Sequence, residues 1–238
     1  MKKTLLLFCA LISTTLVAQL PRNLLVSTEK ITMYDEYEGS IYMKSRYKES
    51  SVIDEKSGTF DAKLKYNVYS DALEFTTPSN ELFAITQSPT IHARIDGDYF
   101  YYCNFKNQRG MNKDGYYILV ELNDRYRIYK KLTTDIIDPV AQTSMVKKST
   151  DGEDVGKVKI ATTYYLEESG VIMELPMNKK EMLAAFNDKE NELEQYLKKE
   201  KLRLRKEEDL IRLVARYNAL KSSDSGISRS LLSNSGTN

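Results

Sequence analysis

Residues 91–103 read Ile91-His92-Ala93-Arg94-Ile95-Asp96-Gly97-Asp98-Tyr99-Phe100-Tyr101-Tyr102-Cys103. Apolar and polar positions alternate up to Asp96-Gly97, and an Asp-Gly pair readily takes the two left-handed positions of a tight hairpin turn. Counting outward from that turn sets Ala93 beside Phe100 and Ile91 beside Tyr102 on one face, the expected core. Arg94 then lies beside Tyr99 and His92 beside Tyr101 on the other face.

The same grammar recurs from about Asn23 to Leu175. Short runs rich in Tyr, Val, Ile, Phe and Thr are broken at Ser57-Gly58, Ser70-Asp71, Asp114-Gly115, Asn123-Asp124 and Ser169-Gly170, as in a β meander. A two-residue turn at Asn123-Asp124 predicts Leu122 opposite Arg125, Leu119 opposite Ile128 and Tyr117 opposite Lys130. Between Thr134 and Val155 the chain turns polar and aperiodic, an expected exposed excursion before the strand pair 157–166 and 171–175. The fold class expected is mainly β with segregated α: an antiparallel β meander over 20–175, curled into an open roll, half-barrel or sandwich, with a C-terminal helical hairpin.

That hairpin follows from a shift after Pro176, beyond which neither Pro nor Gly occurs until Gly226. Asn178, followed three residues on by Glu181, resembles a capping box and starts a helix near Lys179. Leu210, Leu213, Val214 and Tyr217 recur at helical spacing and predict the packed face of a second helix. Lys201-Leu202-Arg203-Leu204-Arg205 alternates with period two instead, which predicts a break there. Residues 176–221 form the expected hairpin, and the Ser- and Asn-rich residues 222–238 a disordered tail.

The N-terminus reads Met1-Lys2-Lys3, an uncharged Leu-rich run to Val17, then Ala18-Gln19. This is the order of a secretory signal peptide over residues 1–19. The chain is therefore expected to be exported: periplasmic, envelope-associated or secreted, with no transmembrane segment after cleavage. Of the two cysteines, Cys9 lies inside the signal core and only Cys103 follows it, so no intramolecular disulfide is expected.

Among 238 residues, 35 Lys plus Arg balance 34 Asp plus Glu, which gives no electrostatic case for nucleic acid as a partner. A single His and the lack of a Gly-rich phosphate loop or a Gly-x-Ser-x-Gly elbow remove most motif-bearing hydrolases and nucleotide enzymes. No metal site and no cofactor is implied. The hairpin register places His92 and Cys103 on one face as diagonal neighbours, the one nucleophile–base pair available for catalysis. The 17 tyrosines suggest stacking platforms for a glycan, with Tyr99, Tyr101, Tyr116, Tyr126 and Tyr129 as ligand-binding candidates. Charge divides unevenly, net −4 over 20–177 and +3 over 178–238. Lys198, Lys199, Lys201, Arg203, Arg205 and Lys206 are accordingly the candidates for contact with an anionic partner.

Three stretches carry a resemblance: Tyr66-Asn67-Val68-Tyr69-Ser70-Asp71-Ala72-Leu73-Glu74-Phe75, residues 163–174 (Thr-Tyr-Tyr-Leu-Glu-Glu-Ser-Gly-Val-Ile-Met-Glu), and residues 206–218 (Lys-Glu-Glu-Asp-Leu-Ile-Arg-Leu-Val-Ala-Arg-Tyr-Asn). With the signal segment, they resemble a group of uncharacterised exported proteins of Bacteroidetes-type Gram-negative bacteria. The resemblance implies a Gram-negative envelope or periplasmic location and brings no activity with it. The function expected is a non-enzymatic binding or interaction module whose partner is an envelope protein, a glycan or a lipid. The alternatives are an exported hydrolase or transferase using His92 and Cys103, and a structural or assembly protein acting through the basic helical region.

Overall fold

A computed structural model describes residues 20–139, 155–223 and 230–232; the expected signal segment, residues 1–19, and most of the polar excursion lie outside these. The chain is mainly β, with three C-terminal helices. The strands are β1 (Leu25–Ser27), β2 (Glu38–Gly39), β3 (Lys48–Asp54), β4 (Gly58–Asn67), β5 (Ala72–Thr76), β6 (Leu82–Ile85), β7 (Ile91–Ile95), β8 (Asp98–Asn107), β9 (Asn112–Leu122), β10 (Arg127–Ile137), β11 (Lys157–Glu168) and β12 (Val171–Leu175). Helices α1 (Lys179–Ala185), α2 (Glu190–Lys199) and α3 (Glu207–Ser223) follow. No helix among the described residues is long and apolar enough to cross a membrane.

The β7–β8 hairpin forms as its turn dictates: Asp96 and Gly97 both have positive φ, and Ala93 pairs with Phe100, Arg94 with Tyr99 and His92 with Tyr101. Ala93 and Phe100 are buried. Two other turns depart from expectation. Asn123 to Tyr126 forms a four-residue connection, closed by the Asn123 N–H on the Tyr126 carbonyl at 3.0 Å and by Asn123 Oδ1 accepting the Arg125 N–H at 3.2 Å. Arg127 therefore opposes Leu122 and Tyr129 opposes Leu119, with a bulge at Ile128/Tyr129. The cause is Tyr126, whose ring is drawn into the core beneath the helices. Asp114-Gly115 is no turn either: it lies inside β9, and the chain reverses over 107–111, where Asn107 Oδ1 accepts the N–H groups of Arg109 and Met111.

The strand order β1-β6-β5-β4-β3-β7-β8-β12-β11-β10-β9 returns on itself, because β9 also pairs with β8. Strands β8 to β12 thus close a five-stranded ring, and β7, β3, β4, β5, β6 and β1 continue from β8 as an open sheet. Antiparallel pairing dominates, but β8–β12 and β2–β11 are short parallel contacts, so the sheet is mixed. Alternation along the ring strands sorts their side chains. Phe105, Tyr117, Tyr129 and Ile172 fill the interior, with Tyr101, Cys103, Leu119 and Tyr165 packed around them. Ile128, Leu166, Met173 and Leu175 point outward into the layer formed by the helices. A separate core of Val52, Leu64, Leu73, Ala93, Phe100 and Ile118 underlies the open sheet.

Asn178 caps α1, its Oδ1 accepting the Lys180 N–H at 2.8 Å. Helix α1 stops at Phe186, and a 3-10 turn, Asn187–Lys189, leads into α2, so the helical region has a break there besides the one expected near Leu202. Phe186 stacks on Tyr217 of α3 at 4.2 Å, and the Asp188 carboxylate accepts from Tyr217 Oη and Lys221 Nζ, each at 2.9 Å. Leu210, Leu213, Val214 and Tyr217 are buried, the face their spacing predicts. Part of the tail expected to be disordered is packed instead. Leu231 is 2% exposed in the helical core, and Glu168 Oε2 accepts the N–H groups of Leu231 at 2.8 Å and Leu232 at 3.4 Å, together with the Ser230 hydroxyl.

Candidate functional site

The fold brings His92 and Cys103 to the same face but not into a dyad. The imidazole stacks on Tyr101, centroids 4.9 Å apart, while the Cys103 thiol donates to the Tyr101 carbonyl at 3.6 Å; no hydrogen bond joins the two candidates. Burial, reinforced by the Glu167 carboxylate against the opposing charges of Lys131 and Arg127, pushes the thiol up to about 12. Burial also lowers the His92 pKa. A thiol so raised is protonated at neutral pH, the opposite of an activated nucleophile.

The tyrosine candidates are dispersed by the pleat. Tyr116, Tyr126 and Tyr129 are 1%, 2% and 6% exposed, which removes them as platforms: they face three different cores, Tyr116 and Tyr129 by strand alternation and Tyr126 from the connection between β9 and β10. Tyr101 is half-buried in the ring, and exposed Tyr99 carries the Arg94 guanidinium 5.5 Å over its face. The ring interior is filled by edge-on aromatic pairs, Phe105–Tyr117 at 5.0 Å and Tyr117–Tyr165 at 5.8 Å among them. It is a core packed with side chains. Nor do three or more His, Cys, Asp or Glu side chains gather there as a metal site.

The basic candidates, by contrast, frame a cleft. Helix α2 ends in a Schellman turn: Lys201 adopts φ 53°, the Leu202 N–H reaches the Leu197 carbonyl at 3.1 Å, and the Lys201 N–H reaches that of Lys198 at 3.4 Å. Beyond it the period-two stretch sends Leu202 and Leu204 inward and Arg203 and Arg205 outward. A further turn, the Lys206 N–H on the Arg203 carbonyl at 2.8 Å, starts α3, and Asp209 Oδ2 accepts the Arg203 N–H at 2.9 Å. Between α2, this connection and the start of α1 lies a cleft of about 540 Å³, with Met177, Leu197, Leu202 and Leu204 as its apolar part and Lys179, Lys198, Arg203, Arg205 and Lys206 as its cations.

Those cations are not equivalent. Glu194 Oε1 lies 3.0 Å from Lys179 Nζ and 3.2 Å from Lys198 Nζ, and the two ammonium groups hold its carboxyl below the usual range. Arg203, Arg205 and Lys206 are exposed, and their side chains enter no ion pair among the described residues. Lys199 and Lys201 lie off the cleft. Met177 and Lys179 were not singled out in the sequence, since they reach the site from a point some twenty residues earlier. The lining presents donors and apolar surface, with no carboxylate, hydroxyl, thiol or imidazole to make or break a bond. No family model, curated protein or solved structure matches the chain.

Proposed function

We propose that this chain is an exported, non-enzymatic binding protein of the bacterial envelope or periplasm, and that it captures an anionic, partly apolar partner at the cleft between α2, the connection 202–206 and the start of α1. The observation that carries this reading is the joining of a recessed apolar floor with three unpaired cations, Arg203, Arg205 and Lys206. An apolar pocket with a few convergent polar groups is the usual form of a small-ligand site. Export is supported by the charged, apolar and small-residue order of residues 1–19.

Titration with 1-anilinonaphthalene-8-sulfonate, an anionic aromatic probe, tests the site. Saturable fluorescence from the folded chain is expected, weakened by salt and abolished in Arg203→Glu/Arg205→Glu/Lys206→Glu. Undiminished binding by that variant would sink the assignment. Export is tested separately, by fractionation and N-terminal sequencing, with a mature start near residue 20 expected.

A further inference from the structure

We infer that the occupant of the cleft is a single-chain alkyl carboxylate of the fatty-acid class, its tail on Met177, Leu197, Leu202 and Leu204 and its carboxylate among Arg203, Arg205 and Lys206. This rests on the cleft being an anion-binding site, and narrows what fills it.

Three features select the chemistry. The polar side chains of the lining are all Lys or Arg, which donate hydrogen bonds and accept none. An extended peptide laid there would bring backbone N–H groups with no side-chain acceptor to meet them, an unfavourable burial. A ligand whose only polar group is an acceptor has no such difficulty: its carboxylate takes the donors, and its alkyl chain asks for none. Size agrees, since about 540 Å³ lies in the range of small-molecule sites, roughly 300–1,000 Å³.

The third feature separates a captured amphiphile from a bilayer surface. Surface-binding helices insert protruding apolar side chains, whereas here Leu197 and Leu204 are only 5% and 7% exposed. Among the described residues, the large apolar side chains that do stand in solvent, Met33, Leu122, Val26 and Met111 foremost, belong to the β region and none to the helices.

The test uses the full mature chain and displacement of the sulfonate probe by hexanoate, octanoate and decanoate below their micellar concentrations. Decyltrimethylammonium, phosphatidylglycerol vesicles and an acidic peptide are run beside them. A fully buried methylene strengthens binding about fourfold, so in a cleft open on one side each added pair should tighten binding about fivefold. The cationic amphiphile should not compete, and vesicles should not cosediment the protein. Leu202→Ser, at a half-buried position, should flatten the chain-length dependence with the fold intact by circular dichroism. Equal affinity for hexanoate and decanoate overturns the inference, as does preference for vesicles or the peptide. In those cases the anion-binding reading stands and only the occupant is wrong. If none of the anions competes and the probe itself does not bind, both fall.

Discussion

Lys131 Nζ lies 3.0 Å from Asp71 Oδ2, and together these two side chains satisfy the main chain of Tyr116 at the point where β9 parts from β10. The Tyr116 N–H donates to Asp71 Oδ2 at 3.1 Å, and Lys131 Nζ donates to the Tyr116 carbonyl at 3.3 Å. A side-chain pair thus takes the place of a ladder rung, and the Tyr66 hydroxyl is a third donor to Asp71, at 2.6 Å. Because buried main-chain groups must find partners, the pair allows β9 to leave β10 and remain on β8.

Asp71→Ala removes the acceptor for three donors, all of them half-buried or deeper, and leaves Lys131 uncompensated. Its expected cost is about 2–4 kcal/mol, read as a lower urea midpoint at unchanged slope. A loss below about 0.5 kcal/mol, the size of an ordinary surface substitution, would show the cluster to be incidental.

Gly115→Ala acts on the same cluster. Gly115 has φ +136°, and an added Cβ would collide with Asp71 Oδ2 and Lys131 Nζ. The substitution should cost about 2 kcal/mol or more, yet add less when Asp71 is already Ala, since one of the two groups it displaces is gone and Lys131 Nζ, freed of its partner, can move aside. Full additivity in that double-mutant cycle would contradict the geometry.

Cys103 should be nearly inert while the chain is folded. With its thiol at about 12, the thiolate fraction at neutral pH is about a thousandfold below that of a free cysteine. Reaction with 5,5′-dithiobis(2-nitrobenzoate) should be slow for the native chain and fast in denaturing urea. Fast labelling of the native protein would restore the thiol as a candidate nucleophile.

Stability should fall at alkaline pH. Burial first, and neighbouring acidic groups second, raise the hydroxyl pKa values of Tyr66, Tyr116 and Tyr217 well above the ordinary value. A raised phenol keeps its proton in the folded chain when the unfolded chain has lost it. Above about pH 10 the unfolded state therefore binds fewer protons, and stability declines as pH rises. Below that point these groups contribute no slope. Urea midpoints from about pH 7 to 11 check the sign; a midpoint rising over the last unit would refute it.

Ending the chain after residue 229 removes Leu231 from the helical core and leaves Glu168 without the N–H donors it holds. A loss of about 2–4 kcal/mol is expected, and Leu231→Ala should account for much of it. A midpoint unchanged by truncation would place the segment outside the folded unit.

The parts legible in the sequence are those where local chemistry leaves one solution. Asp96-Gly97 set the β7–β8 register because both positions take positive φ. The period-two run 201–205 foretold the end of α2 because its leucines suit no helical face. Asn123-Asp124 misled because a buried Tyr126 outweighed the shorter turn. Asp114-Gly115 misled because its glycine answers to Asp71, forty-four positions earlier, and no local pattern carries that information. Closure of the ring is likewise non-local, resting on two pairs between β8 and β12, Lys106 with Val171 and Asn107 with Ile172. For the cleft, the cations were readable as a run, but its apolar floor required α1 and α2 to be folded against each other.

Strand β8 is the one strand shared by the closed ring and the open sheet, bonded to β7 and β9 along one half and to β9 and β12 along the other. The two β units consequently have no linker at which to hinge. Pulling them apart would shear a ladder along its length rather than stretch a loop, so the protein should resist tension as one piece and unfold in a single step.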